Sequence, residues 1–386
     1  MTRSATGRSS PGRVRVLFVI DSLGPGGAER TLRRVVELID QTVFECRVAV
    51  LQVREGNPMA DEIRVLGVPV DQVRVDRLRS VAGQARFLRY LLAYRPSIIH
   101  THLEFSHTLG GIYGRLVGAG PIATIHTFAL GRASREKKRL GLMWFSLRAA
   151  HIKVVAPSRA GMAHAVTVGR IPAERMVVLH NGVDLEAFKP DASLRAPVRE
   201  ELGIPFGSPL LITVAILRSG KGIDDLVSAM PEILDSIPDA MALIVGDGDQ
   251  RVALERLAGE AGVAERVVFT GSRDDVGALL AASDVFVLPT HVDLLPTVVA
   301  EAMAAGLPVV ASDVGGLGDM VEDDVTGILY PAGDIEALTR ACVGLLADPR
   351  RRDTLGRSGR LVAEEKFDIR KHVEALQRLY LELRRG

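Results

Sequence analysis

Cysteine and aromatic residues are scarce in this sequence, which has two cysteines among 386 residues and 4% Phe, Trp and Tyr together. Cys46 and Cys342 lie far apart and match neither the spacing of a zinc site nor a disulfide framework, which excludes a disulfide-stabilised secreted domain. Neither cysteine lies in a motif that would activate a thiolate, so we interpret both as core or surface thiols. Cysteine usage therefore predicts a reducing, cytoplasmic setting.

An excess of charge of one sign is also lacking, because 48 basic residues face 47 acidic ones and the formal net charge is +1. This balance creates no overall positive field, so we expect no nucleic acid as a partner. Any anionic ligand must instead be bound by a local arrangement of charges and N–H groups.

Long hydrophobic runs are missing as well. The apolar run VLFVI, residues 16–20, is too short for a signal sequence with a cleavage site or for a membrane-spanning helix. Residues 1–12 are basic and polar, and we predict a disordered tail there. We expect a soluble protein.

The chain is long enough for two hydrophobic cores, and its pattern alternates short β-branched runs with longer helical ones. This alternation predicts an α/β fold with two doubly wound, parallel-sheet domains. A proline-rich stretch after residue 180 marks the linker. We predict domains at residues 13–188 and 189–365, with a C-terminal helix at 366–386 that packs back on the first domain.

Glycine-rich turns follow several predicted strands, where ligands bind in parallel sheets. In FVIDSLGPGGAER, Gly26 and Gly27 permit close approach of a ligand and Glu29 begins a helix. The pattern is not G-x-G-x-x-G, so it does not favour nicotinamide binding. An ordinary strand-to-helix turn is the alternative.

Cations follow another predicted strand, in LLITVAILRSGKGIDDLV. Arg218 and Lys221 lie just before a helix, and two cations beside a helix N-terminus indicate a diphosphate site that needs no metal. For Lys221 alone, a solvent-exposed side chain is the competing interpretation.

Two carboxylates, Asp293 and Glu301, lie eight positions apart in HVDLLPTVVAEAMAAG. Pro296 suits the first turn of a helix, so we place Asp293 in the preceding loop and Glu301 in the second turn of that helix. N–H groups around Thr297 and Val298 would then face phosphate, while the carboxylates accept hydrogen bonds from hydroxyls. An exposed helix glutamate is the alternative for Glu301.

Histidines crowd the end of the predicted strand SIIHTH. His100, His102 and His107 have only Glu104 as an additional metal-binding partner, so a zinc site is not predicted. His126 ends a neighbouring strand, where a hydrogen-bonded core histidine is the alternative to a ligand contact.

These motifs together resemble the retaining, nucleotide-sugar-dependent glycosyltransferases of family 4, which have the GT-B fold. The resemblance extends from Val14 to about Phe367 and depends on the order and spacing of the motifs. The matching pieces are GPGGAER, HT at His126, VVAPSR, HNGVD, LRSGKG, GDGD, and the E-x7-E-like element from Asp293 to Glu301.

The resemblance implies two Rossmann-like domains facing a cleft, with the acceptor in the first and a UDP- or GDP-linked sugar in the second. It implies retention of anomeric configuration without a protein nucleophile, and no metal or cofactor. The implied catalytic residues are His126, Arg218, Lys221, Asp293 and Glu301. The implied donor-binding residues are Gly26, Gly27, Arg218, Lys221, Gly246, Gly271, Ser272, Leu295, Thr297, Val298 and Glu301. The implied acceptor-binding residues are Glu29, His102 and His107.

Three departures from the family pattern concern the sugar pocket. Ile216 replaces an arginine expected five residues before Lys221, and Asp293 followed by Leu294 replaces glutamate followed by glycine. Gly318-Asp319 stands where Pro-Glu is frequent. These departures leave open a non-catalytic sugar-nucleotide-binding protein, and the histidines leave open a sugar-nucleotide 2-epimerase of the same fold.

A basic and apolar segment at residues 130–153, LGRASREKKRLGLMWFSLRAAHIK, has the composition of a helix that lies on an anionic membrane. Such a surface would bring the enzyme to a lipid-linked acceptor at the inner membrane face. A solvated basic turn followed by an ordinary core-facing helix is the alternative.

Overall fold

The computed structural model describes residues 12–24, 26–52, 59–126 and 134–385. Residues 1–11, which make up nearly all of the predicted tail, lie outside this part of the chain. The chain divides into two compact units: unit 1 contains Met1–Leu179 and Arg370–Gly386, and unit 2 contains His180–Ile369.

Within its described residues, unit 1 holds a seven-stranded parallel sheet in the order β3-β2-β1-β4-β5-β6-β7. The strands are β1 (Val14–Ile20), β2 (Phe44–Val50), β3 (Val70–Gln72), β4 (Ile98–His102), β5 (Gly120–Thr124), β6 (Lys153–Ala156) and β7 (Met176–Val178). Ile20 is in register with both Val50 and His102, so three strands end at one level. The strand order reverses between β1 and β4.

Helices connect these strands and cover both faces of the sheet, which is why residues 16–20 are fully buried without alternation. They are α1 (Gly27–Leu38), α2 (Met59–Val65), α3 (Val81–Tyr94), α4 (Glu104–Leu116), α5 (Ser134–Ala149) and α6 (Arg159–Thr167). A short 3₁₀ helix at Ala173–Arg175 precedes β7.

Unit 2 repeats this plan, with a six-stranded sheet in its part of the described chain, in the order β10-β9-β8-β11-β12-β13. Its strands are β8 (Leu210–Val214), β9 (Met241–Val245), β10 (Val267–Gly271), β11 (Val285–Leu288), β12 (Val309–Ser312) and β13 (Gly327–Tyr330). Its helices are α7 (Arg195–Glu201), α8 (Ile223–Ser236), α9 (Arg251–Glu260), α10 (Val276–Ala281), α11 (Thr297–Ala304), α12 (Leu317–Met320), α13 (Ile335–Ala347) and α14 (Pro349–Lys366), with 3₁₀ helices at Ala192–Leu194 and Ala264–Arg266. The order reverses between β8 and β11.

The C-terminal helix, α15 (Ile369–Arg385), packs on unit 1. The hydroxyl of its buried Tyr380 lies 2.6 Å from Nδ1 of His100, and its ring makes edge contacts with Phe18 and Phe44. The helix begins at residue 369 and not at the predicted 366, because α14 continues through Lys366.

The boundary between the units falls after Leu179, nine residues before the predicted position at 188/189. Val183 belongs to the core of unit 2, and Leu185 and Phe188 pack against that core. Val183 N–H donates to Phe367 O at 2.7 Å, and Ile369 N–H donates to Val183 O at 3.1 Å. These contacts join residues far apart in sequence, so the proline-rich composition alone did not reveal them.

Arg199 on α7 is 1% exposed and ties the start of unit 2 to its sheet. Its Nη2 pairs with Asp284 Oδ2 at 2.9 Å, and Asp284 also accepts the N–H of Leu210 at the start of β8. The other guanidinium N–H groups donate to the carbonyls of Ala282, Pro205, Phe206 and Ser208. Removing one partner of a buried ion pair lowers the stability of a protein, because the groups left behind lose their hydrogen bonds.

Replacing Arg199 by Met should lower the free energy of unfolding by about 3 kcal/mol, because several buried carbonyls lose their donor and Asp284 loses one of its two arginine partners, Arg195 being the other. Urea unfolding followed by circular dichroism measures the change. Arg273→Ala is the control, since its ion pairs with Asp275 and Glu201 are more exposed and should contribute much less to stability. Equal effects of the two substitutions would contradict the assignment.

Candidate active site

A pocket of about 280 Å³ opens at the carboxyl edge of the unit 1 sheet, where the strand order reverses. Asp21 and Ser22 follow β1, Gln52 lies after β2, residues 103–105 follow β4, and His126 lies just beyond β5. Ligands of doubly wound sheets bind at such reversal points, because the flanking helices diverge there. We call this the unit 1 pocket.

Asp21 caps α4 at the edge of this pocket. Its two carboxylate oxygens accept the N–H groups of Phe105 at 2.9 Å and Ser106 at 2.6 Å. Burial raises the pKa of Asp21 to about 6, although these hydrogen bonds act in the opposite direction. Our sequence interpretation missed this residue, for which the available signal was an acid directly after a buried strand.

Leu103 links β4 to α4 in a conformation that is almost restricted to glycine, with φ 72° and ψ 167°. Ser106 Oγ donates to the carbonyls of Leu103 and His102 and thereby fixes this turn. Non-glycine residues in this region are strained and cluster at functional sites. The strain therefore supports a functional assignment for the unit 1 pocket.

The predicted histidines have different positions relative to the pocket. His126 and His107 line it, whereas His102 lies behind His126, sharing a 2.9 Å hydrogen bond between its Nδ1 and Nε2 of His126. Burial lowers the pKa of His107 to about 3 and that of His126 to about 4, so both are neutral at pH 7. His102 thus positions His126 and does not line the pocket itself.

His100 lies deeper and is held between Tyr380 on α15 and Thr124 Oγ1, which is 2.7 Å from its Nε2. His107 Nδ1 shares a hydrogen bond with Thr101 Oγ1 at 2.8 Å. In the part of the chain that the structure describes, no group of three or more His, Cys, Asp or Glu side chains is placed to hold a metal ion. Hydrogen bonds between side chains account for the clustering.

Gly26, Gly27 and Glu29 form the start of α1. Gly26 is the N-cap, and Glu29 is 9% exposed and turns back to accept the N–H of Gly24 at 3.4 Å. A Cβ atom on Gly26 would lie 2.5 Å from Glu29 Oε2, so a larger residue there would displace the Glu29 carboxylate. The sugar-phosphate contact of the glycines and the acceptor contact of Glu29 stay predictions.

In unit 2, the loops after β8 and β11 meet where the strand order reverses. The carbonyl of Gly220 accepts hydrogen bonds from His291 N–H at 2.9 Å and Thr290 Oγ1 at 3.1 Å. Lys221 Nζ then donates to Asp293 Oδ2 at 2.6 Å, with both side chains largely buried. The structure therefore brings together two predicted site residues that are 72 positions apart in sequence.

Helix α11 begins at Thr297, with Glu301 in its second turn and Asp293 in the preceding loop, as predicted. Pro296 is the N-cap and not the first helical residue. The first N–H groups of a helix have no intrahelical partner, so those of Thr297 and Val298 are available to an anion. Leu295 is buried in the core of unit 2, which leaves its backbone for any donor contact.

Gly246 and Gly271 join the loops after β9 and β10 through a hydrogen bond from Gly246 N–H to Gly271 O at 2.9 Å. A Cβ atom on Gly246 would lie 1.9 Å from Ala215 O, so only glycine fits beside the β8 loop. Ser272, next in the chain, is exposed. Donor contacts at these three residues stay predictions.

Arg218 is exposed in the loop between β8 and α8. Among the described residues its guanidinium makes no ion pair, so its charge is uncompensated beside Lys221. Ile216, which replaces the expected arginine, is 52% exposed. The loop thus carries two cations: Arg218, whose long side chain is exposed, and Lys221, which is held by Asp293.

Comparison with known proteins places this architecture in a family. Residues 25–187 match the family model described as Glycosyltransferase Family 4, and residues 195–362 match the one described as Glycosyl transferases group 1. A GDP-mannose-dependent alpha-mannosyltransferase from Mycobacterium tuberculosis is 30% identical over 386 residues, which cover 94% of this chain and 97% of the relative. The chain belongs to glycosyltransferase family 4. This glycosyltransferase has the GT-B fold predicted from its sequence.

Two further relatives show how far the similarity extends. A GDP-mannose-dependent alpha-(1-6)-phosphatidylinositol monomannoside mannosyltransferase from Mycolicibacterium smegmatis is 38% identical over 52% of this glycosyltransferase, and the chain covers about half (54%) of that relative. The crystal structure of Anabaena HepE in complex with UDP has a TM-score of 0.84 at 21% identity, covering 96% of this chain and 100% of that one. The structural match supports the GT-B fold.

Asp21 should make the stability of this glycosyltransferase depend on pH. Because its folded-state pKa lies above the unfolded value, protonation stabilises the folded protein, and that stabilisation is lost as the pH rises through about 6. Relative to Asp21→Asn, wild type should lose on the order of 1 kcal/mol of unfolding free energy between about pH 5 and about pH 7.5. Urea unfolding at both pH values measures this difference, with the exposed Asp61→Asn as control. A difference that does not change with pH would refute the prediction.

Proposed function

We propose that this enzyme is a retaining glycosyltransferase that moves a hexose from a UDP- or GDP-linked donor to a saccharide or lipid-linked acceptor, in polysaccharide or glycolipid biosynthesis. The observation that carries the proposal is the pairing of Lys221 with Asp293 beside the N-terminus of α11, at the reversal point of the unit 2 sheet. A cation, a carboxylate and free N–H groups within one loop cluster match the chemistry of a sugar diphosphate.

Each group in this cluster has a role in donor binding. Lys221, Arg218 and the N–H groups of Thr297 and Val298 bind the diphosphate, because all carry positive charge or partial positive charge. Glu301 accepts hydrogen bonds from the ribose hydroxyls. Asp293 accepts hydrogen bonds from hydroxyls of the transferred sugar while its other oxygen retains Lys221.

The proposed reaction breaks the bond between the anomeric carbon and the diphosphate, whose oxygen takes the electron pair. The acceptor hydroxyl bonds to the anomeric carbon from the same face, and its proton passes to the diphosphate oxygen. Configuration is thereby retained without a protein nucleophile. The charge that develops on the diphosphate is stabilised by Lys221, Arg218 and α11, so we propose that no metal or cofactor is required.

We propose that the base of the donor nucleotide is either uracil or guanine. Two relatives are named for GDP-mannose, whereas the matching Anabaena structure holds UDP. The loops after β9 and β10, with Gly271 and Ser272, are where we expect the base to lie.

A sugar-nucleotide 2-epimerase is disfavoured by the state of the histidines. His100 and His107 are held in side-chain hydrogen bonds, and burial lowers the pKa of both. An epimerase would need groups free to abstract and return a proton at the sugar. The transferase needs none, because it positions two substrates.

We also propose that α5 lies on an anionic membrane at the inner face, with the enzyme otherwise cytoplasmic. Lys137 and Lys138 are exposed next to Leu142 (44% exposed) and Phe145 (56%). This apolar face is narrower than the sequence indicated, because the remaining apolar residues of α5 pack into unit 1. They are Leu140, Met143, Trp144 and Leu147.

Two further observations delimit this surface. Arg139 pairs with Glu104 at 2.7 Å, so its charge is already compensated. Residue Arg132 and the side chain of Arg135 both lie outside the described part of the chain. None of the helices in the described chain is both long and apolar enough to span a bilayer. Contact with the membrane would therefore be made by α5 from one side.

Nucleotide binding tests the donor site. Calorimetry and thermal shift with UDP, GDP, ADP and NAD, each with Mg²⁺ or EDTA, should show binding of one nucleoside diphosphate independent of metal. Lys221→Ala and Glu301→Ala should each lower turnover about 100-fold or more, because each removes a charged hydrogen bond at the donor. Lys189→Ala, on the exposed surface of unit 2, is the control. Wild-type turnover in both variants would eliminate the site, and binding of none of the nucleotides would favour the non-catalytic alternative.

Vesicle flotation tests the membrane surface. Replacing Leu142 and Phe145 together by Ser should weaken binding to phosphatidylglycerol-containing vesicles about tenfold or more, because two apolar side chains no longer enter the interface. Val81→Ser changes a more exposed apolar residue, on α3, and serves as control. Binding that is unchanged in the double variant, or equal for neutral vesicles, would refute the membrane surface.

A further inference from the structure

The charges around the unit 1 pocket are unfavourable for an anion. Among the described residues that line it, Asp21 and Glu104 are acidic and Arg139 is basic. Arg139 is already paired with Glu104 at 2.7 Å, so none of the described lining residues presents an uncompensated cation to the pocket. His107 and His126 are neutral at pH 7 and add no positive charge.

The N-terminus of α4 offers no anion site either. Its N–H groups at Phe105 and Ser106 would attract a phosphate, but both donate to the Asp21 carboxylate. The protein thus places its own anion where a ligand phosphate would otherwise bind. Any phosphate that enters must displace a carboxylate or lie beside it, and like charges in close contact repel each other.

The remaining lining groups suit hydroxyls and ring C–H groups. Ser22 and Gln52 can both donate and accept hydrogen bonds, and the lone pairs that Asp21 does not use can accept from hydroxyls. Ile125 and Met143 supply an apolar wall. At about 280 Å³, the pocket lies near the lower end of the usual range of roughly 300–1,000 Å³ for small-molecule sites, which corresponds to one ring.

We propose that the unit 1 pocket binds an uncharged polyhydroxyl ring, either a sugar or a cyclitol, and rejects the same ring when it carries a phosphate. The inference rests on the proposed function in one respect, that this ring is the acceptor. A lipid or phosphate attached to the acceptor then lies outside the pocket, and only the ring that carries the attacking hydroxyl enters it.

Ligand-observed NMR on the full chain tests this selectivity, in the presence of whichever nucleoside diphosphate unit 2 binds. The probes are methyl α-mannopyranoside and myo-inositol, each compared with its monophosphate. At least one neutral ring should bind, and its phosphorylated form should bind at least about tenfold more weakly because of the two carboxylates. Tighter binding of the phosphorylated form would overturn the proposal.

Glu104→Gln provides the decisive variant, because it removes one carboxylate and frees Arg139 without disturbing the hydrogen bonds of Asp21. The phosphorylated ring should bind about tenfold more tightly and the affinity for the neutral ring should change little, so the preference narrows or reverses. Glu62→Gln removes a carboxylate paired with Arg33 on α1 and should change neither affinity. An unchanged preference in Glu104→Gln would overturn the proposal.

Asp21→Ala opens the N-terminus of α4 and should likewise increase phosphate tolerance. A far-UV circular dichroism spectrum like that of wild type shows that this variant is folded. If it is not folded, Glu104→Gln alone tests the proposal. Failure of the proposed function would appear as the loss of all nucleotide binding by wild type. Nucleotide binding with no binding of any neutral ring would overturn this inference alone.

Discussion

The reversal of strand order within each parallel sheet is the constraint on which both sites depend. Parallel strands that end at one level deliver their loops to a single edge, and the reversal makes the helices on the two sides diverge. In unit 1 this happens between β1 and β4, and in unit 2 between β8 and β11. Asp21 and Glu104 meet at the first edge, and Lys221 and Asp293 at the second, for the same reason.

The two edges use the same backbone feature in opposite ways. At the start of α4, the N–H groups are occupied by the Asp21 carboxylate, which turns an anion site into a carboxylate-lined pocket. At the start of α11, Pro296 caps the helix without a side-chain hydrogen bond, and Lys221 lies nearby. This difference is the basis for the two proposed roles, hydroxyl binding in unit 1 and diphosphate binding in unit 2.

Buried polar contacts hold the framework around these sites. Arg199 ties α7 to the strand that carries the Lys221 loop, through Asp284 and the start of β8. Tyr380 on the C-terminal helix contacts His100 in β4. The same strand ends at His102, which shares a hydrogen bond with His126. Polar groups of this kind require partners once buried, so they fix the positions of elements that apolar packing would leave free to shift.

The sequence by itself determined what depends on local order. Hydrophobic periodicity predicted two doubly wound units, and the spacing from Asp293 to Glu301 predicted a loop carboxylate followed by one in the second helical turn, because strands and helices impose fixed repeats along the chain. The motif order also predicted the family.

Tertiary structure alone decided what depends on contacts between distant residues. Asp21 caps a helix that begins 83 positions later by the numbering, at Glu104. Val183 joins the unit 2 core and donates a backbone hydrogen bond to Phe367. Of the large apolar side chains in the described part of α5, only Leu142 and Phe145 are exposed. Such contacts depend on how strands order themselves in a sheet, which no local pattern encodes, because pairing energies and burial arise only when remote segments pack together.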